Sequence, residues 1–223
     1  FDFFISVGGD GTILKSVTYV RDLNIPVIGI NTGRLGFLSN IPKEDIDKQL
    51  RHVINGDYTI TERTLLAIDT TTNSPDLAPL NFALNEVAVN RKNSTSMIRV
   101  DVWIQDEHLN SYWSDGLIVA TPTGSTGYSL SCGGPLIDPH AANLVITPIA
   151  PHNLNARPLI IPDHREVRLK VTTGEAHFLM SLDSRIATLS NETEILIRKA
   201  PFTLKMIQLP QTSFIKTLRD KFL

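Results

Sequence analysis

A single cysteine, Cys132, stands in 223 residues. It excludes an internal disulfide and fits a reducing compartment, so the cytoplasm is expected. No apolar run approaches the roughly 20 residues that span a bilayer. The first residues also lack the basic segment of a signal peptide, and no membrane partner is expected. Charge of one sign is lacking too. With 21 Lys+Arg against 23 Asp+Glu the net charge is −2, which gives no basic face for nucleic acid. The six histidines are scattered, with no His-x-x-x-His spacing and no cysteine pair, so zinc is not expected. No Gly-x-x-x-x-Gly-Lys-Ser/Thr loop occurs. Gly124-Ser125-Thr126-Gly127 has the wrong spacing for a hydrolase elbow. A Gly-x-Gly-x-x-Gly fingerprint is likewise missing, which removes the usual Rossmann redox reading.

What remains is a globular composition, 42% hydrophobic and 20% charged, with enough chain for one large domain or two small ones. Phe1–Val7 reads as a buried strand and Thr12 to about Asp22 as a helix with Ile13, Leu14, Val17 and Val20 on one face. Pro26–Ile30 reads as a second strand, followed by a loop over Asn31–Asn40. Pro42 opens a helix that Gly56 ends. One strand–helix–strand makes a thin parallel sheet, so residues preceding Phe1 are expected in a longer chain. From Asp57 onward short segments rich in Val, Ile, Leu and Thr predict strands at 58–71, 82–91, 97–105, 108–121, 144–149, 166–173, 177–190, 193–199 and 202–209. Turn residues at Asn73-Ser74-Pro75, Lys92-Asn93-Ser94, Thr173-Gly174 and Asn191-Glu192 separate them. Residues 214–223 return to helical spacing. The expected architecture is α/β plus β. A partial, Rossmann-like N-terminal domain (1–56, joined by a helix at 211–223) is followed by a β-rich domain at 57–210.

Three stretches carry candidate chemistry. Gly8-Gly9-Asp10-Gly11-Thr12 joins a strand to a helix, where first-turn N–H groups and the helix dipole attract an anion. Asp10 is out of place in such a cradle. It is either a helix cap or a group that takes a proton or meets a metal ion. Asn85-Glu86 opens a strand, and an amide beside a carboxylate can read a sugar or a base. Asp115 to Ser129 runs from a strand into a loop dense in Gly, Ser and Thr, with Gly133-Gly134 just beyond. Such density exceeds what one turn needs and points to a ligand.

In order and spacing these motifs resemble the NAD kinases over essentially the whole chain. Ala150-Pro151-His152-Asn153 and Asp183-Ser184-Arg185 are also similar, the latter standing where many members have Asp-Gly-Gln. The resemblance implies ATP-dependent phosphorylation of the 2′-hydroxyl on the adenosine ribose of NAD, with Mg2+ or another divalent metal and with polyphosphate as an alternative donor. It implies a homodimer or homotetramer on an NAD-kinase/diacylglycerol-kinase-like fold. Asp10 would be the proton acceptor, Gly9 and Gly11 would lie at the nucleotide, and Lys15 would sit near the substrate. Asn85 and Glu86 would hold adenosine, and Asp115 would meet the dinucleotide. Thr126, Gly127, Tyr128, Ser129 and Ser131 would line the adenine and ribose pocket, with Arg185 a further contact. A lipid kinase of the diacylglycerol or sphingosine type, which shares the first motif, and a non-catalytic NAD(P) sensor stand as alternatives.

Overall fold

The computed structural model describes residues 1–39, 41–72, 80–93, 96–191, 193–210 and 212–222. Its elements begin with β1 (Phe4–Val7), α1 (Asp10–Val20), β2 (Val27–Asn31), β3 (Ile41–Pro42), α2 (Ile46–Ile54) and β4 (Thr59–Thr70). There follow β5 (Phe82–Ala83), β6 (Glu86–Asn90), β7 (Ile98–Ile104), β8 (Glu107–Ser114), β9 (Gly116–Ala120) and a short helix α3 (Tyr128–Ser131). The last are β10 (Asn143–Ile149), β11 (Leu159–Pro162), β12 (Val167–Thr172), β13 (His177–Leu182), β14 (Arg185–Ser190), β15 (Glu194–Gln208) and α4 (Phe214–Phe222). Contacts divide the chain into two compact units, Phe1–Arg63 with Phe202–Leu223, and Thr64–Pro201.

The first unit is parallel. β1 pairs with β2, β2 with β3, and Met206 of β15 lies opposite Val27. Parallel strands are covered on both faces, and every residue of β2 is buried. Helix α1 buries Ile13, Ser16, Val17 and Val20 at helical spacing, while Leu14 is only half-buried. Helix α2 starts later than expected, because Lys43–Asp45 after Pro42 form a 3-10 turn first. Its end is a Schellman motif: Gly56 (φ +73°) donates to Val53 O at 3.1 Å and Asp57 to His52 O at 2.8 Å.

The second unit is an antiparallel sandwich. One sheet runs β11-β10-β9-β6-β13-β14, and the other holds β8, β7, β12 and the first part of β15. Between them lies a core including Val87, Val89, Val100, Val119, Leu169, Phe178 and Ile195. The six-stranded sheet is covered on its other face as well. Ala88, Ile118, Ala120 and Val145 pack there against Ile137 and the half-buried Cys132. Double coverage explains why all five residues of β9 are buried rather than alternating.

Several strand boundaries depart from the sequence reading. The stretch 177–190 is a hairpin turning at Asp183, which holds φ +53°, and the stretch 108–121 breaks at Asp115. β11 escapes the sequence reading because Pro158 precedes it and Pro162 ends it, as turn residues would. The expected split near Pro201 is absent. β15 runs through it, with Pro201 between the residues paired with β12 and the Met206 paired with β2, while β4 pairs with β15 as well. The turn at Asn73-Ser74-Pro75, and Ser94 and Glu192 of two others, lie outside the described residues. Among the described residues no helix is long and apolar enough to cross a membrane.

Phe178 is fully buried at the centre of the sandwich core. Phe178→Ala should therefore lower the unfolding free energy by about 3–5 kcal/mol. Urea unfolding followed by tryptophan fluorescence measures this, and a loss under about 1 kcal/mol contradicts the packing described.

Candidate active site

Asp10 is the first residue of α1, but it does not cap the helix. Gly9 is the N-cap and no side chain caps it. The Asp10 carboxylate instead reaches the loop after β2. Its Oδ2 accepts the Phe37 N–H at 2.8 Å, and its Oδ1 accepts those of Leu38 at 3.1 Å and Ser39 at 2.9 Å. The loop is folded to present these donors. Asn31 Nδ2 donates to Arg34 O and Ser39 O, Gly33 N–H donates to Asn31 Oδ1, and Ser39 Oγ donates to Gly8 O. A Cβ at Gly36 would overlap Asp10 Oδ1, so this position must be glycine while the carboxylate stays in place. Phe37 carries the loop outward onto α4, its ring centroid 5.9 Å from those of Phe214 and Phe222.

A Cβ at Gly9 or Gly11 would meet no protein atom within 4 Å. Packing within this chain therefore does not demand bare glycines there, whereas close approach of a ligand to the backbone does. Lys15 is exposed on the same helix.

In the second unit, Asn85 and Glu86 lie at the start of β6 beneath the loop that leaves β9. Thr121 N–H donates to Asn85 O at 2.9 Å and Thr121 Oγ1 to Leu84 O at 2.6 Å. Gly124 presses on the Asn85 backbone so closely that a Cβ would overlap it. A Cβ at Gly127 would lie 3.0 Å from Glu86 Oε2 and 3.3 Å from Asn85 Nδ2. Both Asn85 Oδ1 and Glu86 Oε2 are buried without a hydrogen-bond partner among the described residues. Native proteins rarely leave such acceptors unpaired, so the pair is suited to a ligand that donates hydrogen bonds. Burial pushes the Glu86 carboxyl up to about 7, the charge of Asp183 adds to this, and a Tyr128 backbone hydrogen bond opposes it.

Close by, Asp115 pairs with Arg91 Nε at 3.2 Å, and the half-exposed Tyr128 hydroxyl lies 3.5 Å from Asn90 Oδ1. Thr126 donates to Thr123 O within the turn, and Ser131 is exposed.

Two expected ligand contacts point elsewhere. Ser129 is fully buried, its hydroxyl 2.8 Å from that of Thr147, because Gly134 folds back over it. Arg185 turns into the protein, donating through Nη1 to Leu80 O at 2.5 Å and through Nη2 to Phe82 O, with its guanidinium over the Phe82 ring. Sequence reasoning also missed Gly36 with the amides of 37–39 and Arg91, and it named Asp183 in a motif without its contacts. No local pattern joins Asp183 to residues almost a hundred positions earlier.

The ATP-NAD kinase N-terminal domain matches residues 1–58 and the ATP-NAD kinase C-terminal domain residues 84–209. The chain belongs to the NAD kinase family. It is 57% identical over 223 residues to the NAD kinase of Christiangramia forsetii and 55% identical to that of Flavobacterium psychrophilum, in each case covering 100% of this chain and 76% of the relative. Among solved structures it resembles yeast NADH kinase complexed with NADH, with TM-score 0.89 and 30% identity over 99% of this chain and 65% of that one. It also resembles an NAD kinase from Archaeoglobus fulgidus in complex with ATP, with TM-score 0.85 and 28% identity over 99% of this chain and 82% of that one. This NAD kinase is thus a phosphotransferase on the expected α/β plus β-rich fold. The lipid-kinase and sensor alternatives fall away.

The raised Glu86 pKa has a testable sign. Folding favours the neutral acid, so this stabilisation is complete below the ordinary carboxyl range, near 4.5, and is lost as pH rises through about 7. Glu86→Gln fixes the neutral form. Without ligand, its stability relative to the parent should rise between pH 5 and pH 8 by roughly 2–3 kcal/mol, measured by urea unfolding. A pH-independent difference would remove the titration from Glu86.

Proposed function

We propose that this NAD kinase transfers the terminal phosphoryl group of ATP to the 2′-hydroxyl of the adenosine ribose of NAD, with Asp10 as proton acceptor and Asn85 with Glu86 as the adenosine contacts. As the new O–P bond forms and the bond to the leaving ADP oxygen breaks, the hydroxyl proton passes to Asp10. Oδ1 already accepts two N–H groups and Oδ2 one. The remaining lone-pair capacity of Oδ2 makes it the atom that takes the proton. Phosphoryl transfer has a loose transition state, so fixing the acceptor in place counts for more than basicity. Three amides from one rigid loop supply that fixation.

The observation that carries the reading is the adjacent pair of unpartnered buried acceptors, Asn85 Oδ1 and Glu86 Oε2. Adenosine offers donors in its exocyclic amine and its ribose hydroxyls, so both acceptors can be satisfied by one ligand. Gly9 and Gly11 leave main-chain amides open to phosphate, with Lys15 in the next turn. Asp115, Thr126, Gly127, Tyr128 and Ser131 complete the dinucleotide side.

Among the described residues no three His, Cys, Asp or Glu side chains gather as a metal cage. A divalent ion would accordingly arrive on the phosphates of ATP, as Mg2+ commonly does, and would supply neutralisation of phosphate charge. ATP as donor is supported by the matched family description and by the ATP complex of a similar kinase. A cytoplasmic homo-oligomer completes the proposal.

Asp10→Asn should retain NAD affinity within a few-fold and lower turnover by roughly 10²–10⁴. Coupling NADP formation to an NADP-specific dehydrogenase reads this, and undiminished turnover rejects the base. Asn85→Ala should raise KM for NAD by about tenfold while kcat changes little. A fall in kcat at constant KM would take Asn85 out of the binding role.

A further inference from the structure

The proposed adenosine contacts do not hold themselves. Asn85 sits in the two-residue break between β5 and β6, a place where a chain has few ladder bonds, and Glu86 opens β6. What fixes the break is Asp183, at the turn between β13 and β14. Its Oδ2 accepts the Leu84 N–H at 2.9 Å, and its Oδ1 accepts those of Asn85 at 2.7 Å and Glu86 at 3.2 Å. The Asp183 N–H returns a bond to Glu86 O at 3.0 Å. Asp183 holds φ +53°, a left-handed conformation that costs non-glycine residues energy and that Asp tolerates better than most. Arg185, two residues on, donates to the carbonyls of Leu80 and Phe82 on the strand leading into the break. One hairpin turn therefore grips both the amides and the carbonyls of residues 80–86.

We infer that Asp183 is a positioning residue for NAD recognition, setting the place of Asn85 and Glu86 through the amides it holds. This inference rests on the reading of Asn85 and Glu86 as the dinucleotide contacts.

Two groups bear on Glu86 directly, and two more act on one of them. Asp183 lies behind it on the hairpin turn and raises its pKa by charge, a weaker effect than burial. Tyr128 on α3 meets it through its backbone and feels its charge. Asp115, paired with Arg91, and Cys132 bear on the same Tyr128. Among these, Asp183 alone bonds to the Asn85–Glu86 backbone. Removing its charge at constant shape should both loosen the pair and let Glu86 ionise at lower pH.

The test is steady-state kinetics of the full-length enzyme carrying Asp183→Asn or Asp183→Glu, with NAD and ATP varied separately between pH 5.5 and 9. Melting curves establish that each variant is folded. For Asp183→Asn, KM for NAD should rise about tenfold, as expected when buried amides lose a charged acceptor. KM for ATP should stay within twofold. The acid limb of kcat/KM for NAD, which reports the free enzyme, should move down by at least about half a pH unit. Asp183→Glu keeps the charge but not the fit, so KM for NAD should rise while the limb stays in place. Glu86→Gln, run alongside, should abolish the limb. If it instead leaves both the limb and KM for NAD untouched, the reading of the pair fails, independently of Asp183. The positioning role is overturned if Asp183→Asn raises both KM values equally, if it changes only the melting temperature, or if both variants lose their fold.

Discussion

One arrangement recurs in this molecule and everything proposed for its chemistry depends on it. A carboxylate collects three consecutive main-chain amides from a distant loop. Asp10 does so with residues 37–39 and Asp183 with residues 84–86. Three N–H groups in a row cannot all be served by a flat β-ladder, because successive groups point to opposite sides. They converge only when the backbone curls, and a curl of amides is stable when an anion sits at its focus. In one case the protein supplies that anion from the start of a helix, in the other from the tip of a hairpin. Each segment is fixed by these bonds together with apolar packing, Leu38 and Leu84 being buried and Phe37 resting on Phe214 and Phe222.

The two uses differ in what is left over. At Asp10 the leftover is a lone pair on the carboxylate itself. At Asp183 it lies one step away, on the Asn85 and Glu86 side chains, whose outer oxygens remain unpartnered. A bond set close to saturation makes a scaffold, and one with an unused acceptor makes a site.

The fold was legible wherever burial imposes a period. The α1 stripe of Ile13, Val17 and Val20, the Pro42-to-Gly56 helix and the run of short β segments all follow from local pattern. The breaks at Asn85, Asp115 and Asp183 were not legible from propensity, since apolar or aromatic residues stand near each on both sides and the pattern reads as one long strand. They are the places where a polar side chain takes over from the ladder. Within the glycine and hydroxyl motifs the sequence could not say which hydroxyls face inward. Ser129 and Arg185 satisfy neighbours that become adjacent only in the tertiary structure, Thr147 in one case and Leu80 with Phe82 in the other. Asp10 illustrates the same limit, since its partners lie 27 to 29 residues further along the chain.

The unpartnered oxygens of Asn85 and Glu86 have a consequence beyond recognition. A buried acceptor left unpaired costs about 1–3 kcal/mol, so a ligand that donates to both oxygens would gain on that scale. On the proposed reading, dinucleotide bound only to the native state would stabilise the fold by mass action, so substrate recognition and resistance to unfolding would draw on the same two oxygens.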